Sequence, residues 1–213
     1  MNWLYLLEML GTVAFAISGV MASHRRRPDF MGAIILAFVT AIGGGIVRDS
    51  IIGERSHSFT DPYLFYVIVI AAVAAILLID KINKIGHVLS VADAIGLGIF
   101  NSAGLIAGLK TGGSGAEISI MFSIVLGAVT GCGGGIIRDV LCARMPTLLR
   151  PNEIYLSACI AGGIVGAACY QFMSINLELV GIVTAVVTIT VRILSIRYKW
   201  KIPAISGHLG RVE

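Results

Sequence analysis

Seven long apolar runs constrain the fold of this chain more than any other feature of its sequence. They cover about residues 3–23, 31–52, 63–80, 90–109, 117–141, 153–172 and 177–196. A helix needs about 20 apolar residues to cross the hydrocarbon core of a bilayer, so each run predicts one spanning helix. All five prolines fall between or after these runs, outside helix interiors. The sequence therefore predicts an all-α integral membrane protein with seven transmembrane helices.

Composition agrees with a membrane location and excludes several other classes of protein. Only 13% of the residues are charged, whereas a soluble chain carries about a quarter. A secreted disulfide scaffold, a disordered chain and a nucleic-acid-binding domain are thereby excluded, and no nucleic-acid partner is expected. The cysteines show no metal-ligand spacing and the histidines fall in loops or the tail, so neither a metal site nor a cofactor is expected. Phosphate-loop, nucleophile-elbow and zinc-protease motifs are missing from the sequence, which predicts no enzyme.

The lysines and arginines between the runs predict the orientation in the membrane. Eleven fall in the loops of one side and in the tail, against two, Arg55 and Lys110, on the other side. The positive-inside rule places the larger set in the cytoplasm, with the N-terminus outside and the C-terminus inside. We expect a multi-pass protein of the cell (inner) membrane, and the first run is expected to be a retained span because its basic cluster follows it.

An internal repeat divides the chain. Residues 43–49, Gly-Gly-Gly-Ile-Val-Arg-Asp, recur as Gly-Gly-Gly-Ile-Ile-Arg-Asp at 133–139, an offset of 90. Further matches at an offset of 85 pair Glu8, Gly11, Phe15 and Gly19 with Asp93, Gly96, Phe100 and Gly104. We predict one membrane domain over residues 1–213, with repeat one at about 3–80, repeat two at about 90–172, a seventh helix at 177–196 and a basic tail at 197–213. Because three spans is an odd number, the second repeat is inverted relative to the first.

The two glycine triplets predict irregular helices. Each glycine weakens a helix by about 1 kcal/mol relative to alanine, so we expect the second and fifth helices to be broken there. Freed backbone groups at membrane depth are tolerated only in protein or in a water-filled cavity, which favours a pore at the breaks. Close helix packing through small residues is the alternative. The residues concerned are Gly43, Gly44, Gly45, Gly133, Gly134 and Gly135.

Charged residues after each triplet predict two ion pairs. Neighbouring helical residues point about 100° apart, so Arg48 and Asp49 are each expected to need a partner elsewhere, as are Arg138 and Asp139. Matching depth in the repeat predicts the pairs Glu8 with Arg48 and Asp93 with Arg138, one at each end of a central path. Charges within spans often mark ion or substrate routes, although pairs that only fix helix register are the alternative.

Four polar side chains within the spans are weaker candidates for lining a path. Thr40 and Thr130 hold equivalent positions three residues before each triplet, so the repeat selects both. Ser18 and Asn101 lie near the middle of the first and fourth spans, where they line water or bond to backbone carbonyls.

Two copies of Gly-Gly-Gly-Ile-x-Arg-Asp, 90 residues apart in a chain with seven spans, closely resemble the prokaryotic trimeric intracellular cation (TRIC) channel family. This family also carries the label of a glycine transporter domain. The resemblance implies a homotrimer with one pore in each subunit, lined by the broken second and fifth helices. It implies that monovalent cations, mainly potassium, pass between them. Sodium is a further candidate for the permeant ion, and membrane lipid is expected as a partner of any such chain.

The sequence leaves the transport mode open. A passive potassium channel is the first hypothesis, and a secondary transporter of a small solute such as glycine is the alternative, because inverted repeats with broken helices serve both classes. A purely structural membrane protein is the third hypothesis, and the duplicated charges argue against it.

Overall fold

The computed structural model describes residues 3–24, 28–56, 60–79, 87–111, 116–151 and 153–200. Within these ranges the chain folds into seven α-helices and one short 3-10 turn, Thr147–Leu149. The basic loop residues at 25–27, 81 and 84 and the tail from residue 201 lie outside them. The helices are α1 (Trp3–His24), α2 (Phe30–Ile52), α3 (Pro62–Leu77), α4 (Val88–Thr111), α5 (Ala116–Leu141), α6 (Leu156–Met173) and α7 (Leu177–Tyr198).

Six of these helices are long and apolar enough to cross a membrane, and α3, at 16 residues, is shorter. Side chains on the outside of the bundle agree with a lipid environment, since large apolar residues such as Phe172, Leu77 and Ile70 are mostly exposed. The chain is a multi-pass membrane protein with the predicted all-α fold.

Helix starts are set by the residues that the sequence places there. Asp29 caps α2 by accepting a hydrogen bond from the backbone N–H of Gly32 at 2.7 Å. Asp61 caps α3 in the same way, with Pro62 at the first helical position, and Asn176 caps α7. These side chains satisfy amides that the first turn of a helix leaves without partners.

The two three-helix units pack about a pseudo-two-fold axis. Helices α1, α2 and α3 contact one another, and α4, α5 and α6 do the same. Between the units, α1 packs on α4 and α2 packs on α5, so equivalent helices meet. The equivalent residues Phe15 and Phe100 stack on each other with ring centroids 5.1 Å apart. Helix α7 lies outside this symmetry and packs against α4 and α6.

The predicted helix breaks are wrong, because α2 and α5 continue as regular helices through both glycine triplets. The alternative of close packing applies instead. A methyl group on Gly44 would lie 2.1 Å from the carbonyl oxygen of Thr130, and one on Gly134 would lie 2.1 Å from the carbonyl oxygen of Thr40. The glycines thus let the backbones of α2 and α5 touch, and this packing offsets their low helix propensity.

Candidate functional site

The crossing of α2 and α5 lies at the centre of the candidate site. Thr40 and Thr130 are fully buried there, and each hydroxyl donates to a carbonyl of its own helix, that of Leu36 at 2.6 Å and that of Leu126 at 2.5 Å. Their own carbonyls contact the opposite glycine triplet. In this conformation the crossing is therefore closed by backbone contact, with a charged cluster beyond it at each end.

Glu8, Arg48 and Asp49 form the first of these clusters, which we call the open cluster. The Arg48 Nε donates to Asp49 Oδ1 at 2.7 Å, while the Arg48 Nη1 and Glu8 Oε1 are 3.9 Å apart. The three side chains line a cavity of about 240 Å³, into which Lys110 at the end of α4 also faces. The Glu8 side chain is 23% exposed. The distance between Arg48 and Glu8 is thus longer than a hydrogen bond, and the pair is accessible to solvent through the cavity.

At the opposite end, Ser18, Asp93, Arg138 and Asp139 form the closed cluster. Arg138 donates to Asp93 Oδ1 at 2.5 Å and to the hydroxyl of Ser18, and its Nη2 lies 2.9 Å from Asp139 Oδ1. The side chains of Arg138, Asp93 and Asp139 are only 3–5% exposed. Three helices, α1, α4 and α5, thus converge on one guanidinium, whose planar donors suit several acceptors at once.

Residues after α5 add contacts to the closed cluster, among them Arg150, whose Nη2 lies 3.9 Å from Asp139 Oδ2. Thr147 donates from both its backbone N–H and its hydroxyl to Asp139 Oδ2, each at 2.8 Å. The Tyr155 hydroxyl lies 3.3 Å from Asp93 Oδ1 and donates to it. Burial and the neighbouring Asp93 carboxylate raise the pKa of Tyr155 well above its ordinary value, so this hydroxyl keeps its proton.

Both predicted ion pairs are present, Glu8 with Arg48 and Asp93 with Arg138. Each arginine also bonds the aspartate that follows it, because the long side chain folds back along its own helix to reach the next residue. Each guanidinium therefore faces two carboxylates, one on its own helix and one on a neighbouring helix.

The four polar candidates are all fully buried and bonded to protein. Thr40 and Thr130 bond their own helices, Ser18 accepts from Arg138, and Asn101 donates to the carbonyl of Cys159 and the hydroxyl of Thr188. Their role in lining a path stays a prediction about a conformation in which α2 and α5 have separated.

Sequence reasoning missed Thr147, Tyr155 and Arg192. Thr147 and Tyr155 lie between α5 and α6, where no periodic pattern identifies a contact. Arg192 carried a usable signal, since it is a charge inside an apolar run, and it donates to Glu153 at 2.7 Å. Within the described ranges, no three His, Cys, Asp or Glu side chains come together to form a metal site.

The fold is an inverted pair of three-helix units, with buried charges at both ends of a central helix crossing. This architecture is typical of membrane channels and transporters. The chain belongs to the TRIC family, whose model, described as "Glycine transporter", matches residues 5–80 and 90–171. It is 37% identical to the UPF0126 inner membrane protein YadS of Escherichia coli strain K12 over 93% of this chain and 94% of that protein.

Solved structures agree with this family. One, from work on the structural basis for conductance through TRIC cation channels, has a TM-score of 0.85 at 28% identity and covers 99% of this chain and 100% of that one. A TRIC trimeric intracellular cation channel orthologue from Rhodobacter sphaeroides has a TM-score of 0.84 at 27% identity, over 93% of this chain and 99% of that one.

Proposed function

We propose that this protein is a passive potassium channel of the inner membrane, a homotrimer in which each subunit carries its own path between α2 and α5. The observation that carries the proposal is the inverted duplication of the Gly-Gly-Gly-Ile-x-Arg-Asp motif. It sets an arginine with two carboxylates at each end of one helix crossing. The likeness to solved TRIC cation channels over nearly the whole chain supports it.

The charge balance at the open cluster supports cations as the permeant ions. The open cluster combines Arg48 with Glu8 and Asp49, and the closed cluster combines Arg138 with Asp93 and Asp139. The cavity at the open cluster is lined by three carboxylates, with Glu54 as the third, against Arg48 and Lys110, which leaves an excess of one negative charge. At the closed cluster Arg150, whose Nη2 lies 3.9 Å from Asp139 Oδ2, balances the charge. Rings and clusters of carboxylates favour cations in a pore, because they replace part of the hydration that an entering ion loses.

Conduction by this route requires two movements. The backbones of α2 and α5 must separate where the triplets meet the threonine carbonyls, and Arg138 must leave at least one of its partners in the closed cluster. The open cluster already borders a cavity. The closed cluster is thus the end at which opening meets the larger number of bonds.

Current recording in planar bilayers tests the proposal. With a potassium gradient across the bilayer, the purified protein should give discrete openings whose reversal potential follows that gradient. Arg48→Gln should raise the unitary conductance about twofold, because it removes a positive charge from the cavity that the Glu8 and Asp49 carboxylates line. Arg197→Gln, which removes an exposed arginine at the end of α7, serves as the matched control and should leave the conductance unchanged.

Silent bilayers would overturn the channel proposal, and the family description points to the alternative. In that case saturable uptake of labelled glycine into proteoliposomes would identify a secondary transporter of a small solute. The trimer is tested separately by native mass spectrometry in detergent, where three chains with retained lipid are expected and a monomer would contradict it.

The proposed orientation puts the N-terminus and the open cluster outside and the C-terminus in the cytoplasm, following the distribution of basic residues. A protease added to right-side-out membrane vesicles should leave a C-terminal tag intact, whereas inverted vesicles should lose it. Cleavage of the tag in right-side-out vesicles would reverse the orientation.

A further inference from the structure

Arg192 is a buried charge that the inverted repeat does not explain. It lies on α7, outside both three-helix units, and its side chain is only 5% exposed. A guanidinium inside an apolar span is unfavourable unless specific groups surround it, so its partners indicate its role.

Three consecutive residues before α6 surround this guanidinium. The Arg192 Nη1 donates to Glu153 Oε2 at 2.7 Å and to the carbonyl of Ile154 at 3.2 Å. Its Cζ lies 5.1 Å from the centre of the Tyr155 ring, within the range of a cation–π contact. Helix α7 thereby fixes the position of the Tyr155 ring.

Tyr155 carries this contact onward to the closed cluster. Its hydroxyl donates to Asp93 Oδ1, the same oxygen that accepts from Arg138 at 2.5 Å. The space for this hydroxyl exists because residue 135 is a glycine, since a methyl group there would lie 2.4 Å from the Tyr155 oxygen. A continuous series of contacts thus joins Arg192 to Arg138.

We propose that Arg192 is a positioning residue that holds the Tyr155 hydroxyl on Asp93 and so stabilises the closed cluster against opening. This inference rests on the proposed function, because opening of the closed cluster is the step that it controls. Arg192 belongs to neither cluster and lies outside the proposed path. Its loss should therefore change how often the path opens and not how fast ions pass.

Single-channel recording of four proteins tests the inference: the wild type, Arg192→Gln, Tyr155→Phe and the double variant. Tyr155→Phe removes only the hydroxyl and keeps the ring. Each single variant should raise the open probability about fivefold, the effect of losing one hydrogen bond, with the unitary conductance unchanged. The double variant should equal Tyr155→Phe alone, because Arg192 acts through that hydroxyl.

Matched controls separate positioning from general damage. Arg197→Gln removes the same charge from an exposed site on the same helix and should leave the open probability unchanged. Arg192→Lys keeps the charge without the planar group and should restore part of the wild-type value. If Arg192→Gln does not fold, Glu153→Gln removes the charge of its partner at a one-third exposed site and should raise the open probability in the same direction.

The inference would be overturned if the increases in open probability caused by Arg192→Gln and Tyr155→Phe multiplied in the double variant. A changed unitary conductance in either single variant would also overturn it. A silent wild type would count against the proposed function, and hydrogen exchange then decides the inference independently. Arg192→Gln and Tyr155→Phe should speed amide exchange equally in residues 135–139 of the detergent-solubilised protein. Exchange as slow as in the wild type would overturn it.

Discussion

The two ends of the bundle carry the same motif and equivalent ion pairs, and yet they differ in burial, in the length of those pairs and in the further contacts of the arginine. At the open cluster, Arg48 reaches Glu8 only at 3.9 Å and borders a cavity. At the closed cluster, Arg138 is 3% exposed and bonds Asp93, Asp139 and Ser18. The duplicated motif supplies the same charges twice, and the residues around it determine which end is closed.

One position explains part of this difference. Ser18, which bonds Arg138, corresponds to Ala103 at the repeat offset of 85, and Ala103 lines the cavity beside Arg48. At this repeat-equivalent position the open cluster therefore has a methyl group where the closed cluster has a hydroxyl. Tyr155 and Arg192 add further contacts at the closed cluster, because α7 packs mainly against the second unit.

The largest expected effect compares the two arginines. Arg138→Gln should lower the free energy of unfolding by about 3–5 kcal/mol, because Asp93 is left buried without a counter-charge and Asp139 keeps only the longer ion pair to Arg150. Arg48→Gln should lower it by about 1–3 kcal/mol, because water in the cavity can reach its partners. Denaturant unfolding in mixed micelles measures both values. Equal losses of unfolding free energy in the two variants would contradict the difference in burial between the open and closed clusters.

The helix crossing is the region where the two halves are alike, so equivalent changes should have equal effects. Gly44→Ala and Gly134→Ala should each lower the free energy of unfolding by about 1–3 kcal/mol, because the added methyl group meets a backbone carbonyl that cannot move aside. Gly43→Ala is the matched control in the same triplet, where the one close approach of the methyl group is to the flexible end of the Ile137 side chain, at 2.8 Å. Thermal unfolding in detergent ranks the three variants. A loss of stability in Gly43→Ala as large as that in Gly44→Ala would contradict the close crossing of the two helices.

Exchanging the residue types at positions 18 and 103 should make the open and closed clusters more alike in their hydrogen bonding and stability. Ser18→Ala removes one acceptor from Arg138 and should lower the free energy of unfolding by about 1 kcal/mol. Ala103→Ser offers Arg48 a new acceptor and should stabilise the protein by up to about 1 kcal/mol and reduce the conductance. Both are measured by denaturant unfolding, with bilayer recording for the second. A destabilising Ala103→Ser would show that the repeat offset does not place its hydroxyl near Arg48.

The smallest effect is expected at Glu8. Glu8→Gln should lower the free energy of unfolding by less than about 1 kcal/mol, because a partly exposed pair at 3.9 Å is weak and screened by salt. The loss should disappear at high salt. Asp93→Asn, the equivalent change at the closed cluster, should keep its effect at all salt concentrations, and a salt-dependent loss there would contradict its burial.

Much of the architecture could be predicted from the sequence. The run at 177–196 became α7 at Leu177–Tyr198, and the run at 31–52 became α2 at Phe30–Ile52. Long apolar runs give reliable spans because each backbone polar group within a bilayer must be bonded inside its own helix. The two ion pairs were also predictable, because the repeat fixed which charges lie at the same depth.

The predicted breaks failed for a physical reason that the sequence does not contain. Glycine propensity describes an isolated helix, whereas Gly44 and Gly134 each face a carbonyl of the other unit, and that packing keeps both helices regular. Whether a glycine weakens a helix or brings two helices together depends on the surface opposite it.

Local hydrophobicity and the internal repeat are enough to establish the number of apolar helices, the duplication of the charged motif and the inversion of the second unit. Only the tertiary structure decided which end is closed. That outcome depends on Ser18, Tyr155 and Arg192, which lie 120, 17 and 54 residues from Arg138 in the chain and meet its cluster only through helix packing. Identical motifs acquire different environments because packing is set by all neighbouring helices, and α7 has no counterpart on the other side.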